Sequence, residues 1–164
     1  MKFDIRKSLV GIIVFVIGLA ATLMLFLPAL IDVDAEVAYT GSQVVFGSQI
    51  ADLGILGTVQ IEPSVMGIIA FLLPALAGLL AIFTKKGTII SVGLFIAATV
   101  MLFLIPSNTS TTLTLLGSTN AYETTWSMGG GLIAAAILSI VGVLASLYQF
   151  VISMGSERRS HDVA

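Results

Sequence analysis

Apolar residues in this chain gather into four long runs that show neither the alternation of a strand nor the stripe of a surface helix. No charged residue falls between Lys7 and Asp32, between Glu62 and Lys85, between Lys86 and Glu123, or between Glu123 and Glu157. A bilayer's hydrocarbon core takes about 20 residues of helix at about 1.5 Å each, so each gap holds one span. Helices that are apolar on every side do not belong to the surface of a soluble domain. The pattern predicts spans over 8–31, 64–83, 88–106 and 129–154, with long outer loops at 32–63 and 107–128. The connection Thr84-Lys85-Lys86-Gly87 is short enough to make spans two and three an antiparallel helical hairpin. The predicted fold class is an all-α membrane protein, a single four-helix transmembrane bundle with a small extracellular β-hairpin or sheet in the first outer loop.

Composition narrows this further. Hydrophobic residues make up 57% of the 164 positions and charged residues only 10%, so the spans leave no room for a separate soluble domain. Cysteine is absent, which excludes disulfides and thiolate metal sites. The basic residues are placed asymmetrically. Lys2, Arg6, Lys7, Lys85, Lys86, Arg158 and Arg159 fall at the N-terminus, the middle turn and the C-terminus, while the two long loops carry none. Basic residues favour the cytoplasmic side, so both termini are expected inside a plasma (cell) membrane. Residues 1–35 also fit a signal peptide cleaved after Ala35, which would leave three spans. The apolar run of 9–31 exceeds the about 7–15 residues of a signal core, so it is read as an uncleaved first helix.

The first outer loop carries the strand signal. Val37 and Tyr39 alternate with Glu36, Ala38 and Thr40, Gly41-Ser42 suggests a turn, and Gln43-Val44-Val45-Phe46 follows as a second strand. Thr58-Val59-Gln60-Ile61 could add a third. The stretch 50–56 is too apolar for a free loop and is expected on the helix ends or at the membrane interface. In the second outer loop, rich in Ser and Thr, Tyr122 and Trp126 flank Glu123 just before span four and read as an interfacial anchor.

Chemistry-bearing constellations are scarce. The single His, His161, lies in a polar tail, and no Ser has a His partner in prospect. Gly129-Gly130-Gly131 opens an apolar span rather than a phosphate loop. Asp32, Asp34 and Glu36 would share a face of an extended strand and form a weak candidate for a hard cation. Asn108-Thr109-Ser110 matches the glycosylation acceptor pattern. Rows of small residues give the better-defined signal: Gly131, Ala135 and Ser139, continued by Gly142 and Ser146, in span four; Ala70, Pro74 and Gly78 in span two; Gly93 and Ala97 in span three. Such rows let helix backbones approach in lipid. Pro74 cannot donate to the Ala70 carbonyl and should loosen its helix there.

Four spans, internal termini, a strand-bearing first loop and a shorter second loop resemble the claudin-like tetraspan layout. That resemblance covers the whole chain as architecture and implies an outer sheet seated on a left-handed helix bundle. Claudins carry Trp, Gly-Leu-Trp and two Cys in the first loop, and the nearest segment here is Leu53-Gly54-Ile55-Leu56-Gly57, without Trp or Cys. No barrier function or site residue is carried over. The expected function is that of a non-enzymatic structural or accessory membrane protein acting through lateral helix packing and outer-loop contacts, with Val44, Val45 and Phe46 as a strand edge. Its partners would be the bilayer and copies of itself or other membrane subunits, with no nucleic acid and no cofactor. The alternative is a channel or transporter component for a small or apolar solute, lined by Ser91, Thr99, Ser139 or Ser146. A reporter fused at Lys85-Lys86 should read out as cytoplasmic, and one at Thr119 as external; the reverse result would overturn the orientation.

Overall fold

A computed structural model describes residues 5–83 and 87–161. Lys2 and the predicted turn at 84–86 lie outside them. Four long helices dominate: α1 (Ile5–Leu23), α3 (Val65–Phe83), α4 (Gly87–Asn108) and α5 (Gly130–His161), with a short α2 (Gly41–Phe46) between α1 and α3. The four are long and apolar enough to cross a membrane, through Leu9–Phe26, Val65–Ile82, Gly87–Asn108 and Gly130–Met154. This is a multi-pass membrane protein. The helices form a ring in which α1 packs on α3 and α5, and α4 packs on α3 and α5. The chain threads up and down, so neighbours in the ring are antiparallel.

The first span is shorter than its apolar run. After Leu23 a single 3-10 turn (Met24–Phe26) intervenes, and Leu27 is extended at φ −96° and ψ 163°. Pro28 explains the change: it cannot donate within a helix, and its ring pushes the preceding residue into extended backbone. The end of the predicted span is therefore strand β1 (Pro28–Asp32), not helix.

Among the described residues, seven strands cap one end of the bundle in two antiparallel sheets. The first has the order β2-β1-β7, with β2 at Val37–Thr40 and β7 at Trp126–Met128. The second has the order β3-β4-β5-β6, formed by β3 (Ser48–Asp52), β4 (Gly57–Ile61), β5 (Thr111–Leu115) and β6 (Ser118–Tyr122). Each sheet joins the two loops. Ile31 pairs with Ser127 in the first sheet, and Val59 with Leu113 in the second.

The expected hairpin between Val37 and Phe46 is half right. Val37–Thr40 is a strand, paired with β1, but Gln43-Val44-Val45-Phe46 is helical. A capping box starts that helix: the Thr40 hydroxyl accepts from Gln43 N at 3.3 Å, and the Gln43 side chain accepts from Thr40 N at 2.9 Å. Val44 and Val45 are then buried, while Phe46 is exposed. They form no strand edge.

The core runs from the cap into the bundle without a break. Leu30, Val44, Val45 and Ile61 from the cap join Phe71, Leu102, Ile105 and Leu132 from the helices in one cluster. A second cluster at the far end of the bundle contains Val14, Ala77, Ala81 and Phe95.

Glycine sets the spacing where backbones touch. A Cβ on Gly18 would lie 2.2 Å from the Pro74 carbonyl oxygen, and one on Gly78 would lie 2.7 Å from Phe15 Cα. By contrast, Gly130 has nothing within 4 Å. Gly18→Ala should force α1 and α3 apart and destabilise by about 1–3 kcal/mol, the range for overpacking. Gly130→Ala, with open space for its methyl group, should leave stability unchanged or raise it by up to about 1 kcal/mol. Unfolding curves of the two variants in the same detergent check the contrast.

Candidate functional site

The polar residues of the cap meet where β1 and β7 pair. Asp32 at the end of β1 is buried, and its Oδ1 accepts the amide N–H groups of Asp34 at 3.0 Å and Ala35 at 3.1 Å. This is an Asx turn, and it satisfies the corner between β1 and β2. Glu36 closes the corner with a left-handed φ of 55°. The three acids thus follow a turn and not an extended strand. Among the described residues, no three His, Cys, Asp or Glu side chains come together in a set that could hold a metal ion. The weak cation site expected of Asp32, Asp34 and Glu36 is not formed.

Asp32 and Asp34 line an open cleft of about 200 Å³ with Ala35, Tyr122, Glu123 and Thr124. On the second-loop side, Thr111 donates its hydroxyl to the Tyr122 carbonyl at 2.6 Å and shares a second bond of 2.9 Å with Thr124. Cleft walls therefore come from both loops.

Behind the cleft, Trp126 stands edge-on to Tyr39, with ring centroids 5.7 Å apart and planes at 86°. Aromatic pairs in this geometry contribute about 0.5–1.5 kcal/mol beyond burial. Tyr39 belongs to the core cluster, and Trp126 packs against it. Trp126 is thus a cap-core residue, whereas Tyr122 is exposed on β6. The Trp126 indole N–H is buried without a hydrogen-bond partner. Burial holds the Tyr39 hydroxyl above its ordinary pKa of 10.0, and the Asp32 carboxylate adds to the shift.

Inside the bundle the small-residue rows separate into two groups. Ala135, Ser139 and Ser146 of α5, and Ala70, Pro74 and Gly78 of α3, are buried. Gly142 receives the Phe95 ring, where a Cβ would be 2.5 Å away, and Gly131 lies against Leu27 and Pro28. Gly93 differs. It is exposed on α4, with nothing within 4 Å of its would-be Cβ, and Ala97 beside it is half-buried. Sequence reading passed over two contacts on α1, Gly11 against Gln149 and Gly18 against Pro74. Their seven-residue spacing on one helix was the available signal.

The hydroxyls of Thr22, Ser91, Thr99, Ser139 and Ser146 are engaged. Ser91 and Ser146 share a buried bond of 3.1 Å between α4 and α5. Ser139 donates to the Ala135 carbonyl and Thr99 to that of Phe95, each within its own helix. Thr22 donates to the Phe71 carbonyl at 2.7 Å, close to the helix position that Pro74 disturbs. Gln149 donates to the Ala81 carbonyl at 3.0 Å, while its Oε1 is buried without a partner. Asn108 spends its side-chain amide on the Leu104 carbonyl at 2.9 Å.

No family model matches the chain, and neither a curated protein nor a solved structure does.

The raised Tyr39 pKa gives a signed pH dependence. A folded tyrosine that binds its proton more tightly than the unfolded one contributes stability that is fully present below the unfolded pKa. That stability is lost as pH rises above about 10, the ordinary tyrosine value. Thermal unfolding from pH 8 upward should fall more steeply in the natural protein than in Tyr39→Phe. Fluorescence of Trp126, the chain's one tryptophan, reports it.

Proposed function

We propose that this protein is a non-enzymatic structural or accessory subunit of a membrane assembly, acting by lateral association of its helices and by contacts from its cap. The reading places it in the cell membrane, with the termini in the cytosol and the cap outside. It retains the likeness to the claudin-like layout as architecture: four spans beneath a strand-bearing cap.

One observation carries the assembly reading. The small rows of α3 and α5 are used up inside the bundle, but Gly93 opens outward on α4 between exposed Ile89, Ile90, Ile96 and Val100. In lipid, apolar side chains give little drive for association, so close approach at a small residue is what favours a helix neighbour. A glycine in a helix interior also costs about 1 kcal/mol relative to alanine, and nothing inside the bundle uses this one. A second copy, or another membrane subunit, would seat a helix there.

A channel or transporter component would instead need its hydroxyls turned to a permeation path. Ser91, Thr99, Ser139 and Ser146 are bonded to one another or to their own helices, which favours packing over conduction.

Gly93→Leu should reduce crosslinked oligomer in native membranes several-fold while leaving folding intact, because leucine raises helix propensity by about 0.8 kcal/mol. A natural protein that crosslinks to nothing would overturn the reading.

A further inference from the structure

The short helix α2 is held against the capped-side ends of two spans. Gly41 at its start donates its N–H to the Leu27 carbonyl at 3.1 Å, and a Cβ there would lie 2.7 Å from the Leu25 carbonyl oxygen. At its other end the Val45 carbonyl accepts from Ser64 N at 3.0 Å. A Cβ on Gly67 would meet Val45 Cγ2, also at 3.0 Å. Leu25 lies at the end of the first span, Leu9–Phe26, and Gly67 at the start of the second, Val65–Ile82. Helix α2 thus bridges α1 and α3 crosswise, at the depth where both reach the cap. Val44 and Val45 turn into the shared core, while Phe46 is left 66% exposed.

We infer that Phe46 inserts into the acyl-chain boundary of the membrane on the capped side, which makes α2 an interfacial anchor. Three observations support a lipid occupant. The first is length. The 19 residues of α3 rise about 28 Å, and the hydrocarbon layer they must cross is about 30 Å thick. Tilt would only shorten that reach, so no turn of α3 is free to stand clear of the bilayer. Its first turn, from Val65, therefore marks the hydrocarbon boundary, and Val45 and Phe46 are fastened beside it through Ser64 and Gly67.

The second is charge. No charged residue falls between Glu36 and Asp52, so nothing in the segment that carries α2 resists hydrocarbon at this level. Exposed Glu62 precedes Val65 and keeps the charged part of the loop on the water side.

The third is the backbone, whose polar groups must be satisfied within the protein where they meet hydrocarbon. The capping box of Thr40 and Gln43 serves the start of α2, and Ser64 N–H serves the Val45 carbonyl near its end. Gly47, at φ 81°, then folds the chain close over the start of α3; a Cβ there would lie 2.9 Å from the Ile61 carbonyl oxygen. Phe46 is left on a fixed corner between α2 and α3. Phenylalanine is among the side chains that sink interfacial helices about 5–10 Å into the headgroup–acyl boundary. The inference does not depend on association through α4.

The absence of cysteine makes the test direct. Phe46→Cys is labelled with an environment-sensitive fluorophore, alongside Leu72→Cys as an in-span reference and Asn120→Cys as an aqueous one. All three side chains are exposed, so the labels replace no core contact. The full chain is reconstituted into phosphatidylcholine nanodiscs holding one copy. Lipids brominated high in the acyl chain should quench the probe at 46, and lipids brominated near mid-chain the probe at 72. Neither should quench the probe at 120, which iodide should quench several-fold more than the one at 46. Iodide access at 46 equal to that at 120, without lipid quenching, would overturn the proposal. So would shielding that appears only in discs holding two copies, since it would make the occupant a second chain. Crosslinking through α4 is measured separately, so the two readings fail independently.

Discussion

Hydrocarbon offers helices neither a hydrogen-bond partner nor a reward for burying apolar surface, so this bundle depends on how closely its backbones can approach. Gly18 meets the Pro74 carbonyl, Gly78 meets Phe15, and Gly142 takes the ring of Phe95. Each contact brings a helix within dispersion range of its neighbour along much of its length. Sparse polar bonds then fix rotation and register: Thr22 to Phe71, Ser91 to Ser146, and Gln149 to Ala81. Pro74 belongs to this arrangement as well. It removes one donor from α3 at the level where α1 comes closest, and Thr22 supplies a hydroxyl to the neighbouring carbonyl.

The cap solves a different problem, because water can satisfy its backbone and the hydrophobic effect returns. Its strands are short, and each sheet borrows from both loops. Gly57 shows how tight the join is: at φ +149°, a Cβ there would sit 1.8 Å from the Thr114 carbonyl oxygen. Leu30, Val44, Val45 and Ile61 extend the same apolar core that Phe71 and Leu132 begin. Cap and bundle therefore share one interior.

Much of the bundle could be read from residue order, because spans follow from long charge-free runs and from nothing subtler. Helices α3, α4 and α5 start within two residues of their expected positions. The exception, 8–31, failed at Pro28, whose effect on Leu27 is local and was readable. Thr40 and Gln43 likewise held a capping box that the Val44-Val45 strand propensity masked. The run Thr111–Leu115, then Leu116-Gly117, then Ser118–Tyr122 is a hairpin signature with an atypical first turn residue, and it was passed over. Pairing between loops was not readable. Nothing local in Pro28–Asp32 specifies Trp126–Met128 as its neighbour; that choice is made by where α1 and α5 deliver the chain. The small-residue rows were visible, but which of them face inward depends on helix rotation, and only assembled helices set that.

The β1–β7 pairing carries a consequence for how the protein is made. A side-chain bond from Ser127 to the Ile31 carbonyl spans 96 positions. At about 5–20 residues per second of synthesis, the first loop waits several seconds while two further helices are threaded into the bilayer. Until then Leu30, Ile31 and Asp32 have no strand on that side. Closure of the cap on that edge thus reports that α3 and α4 have arrived, and a chain stalled before them would leave β1 unpaired there.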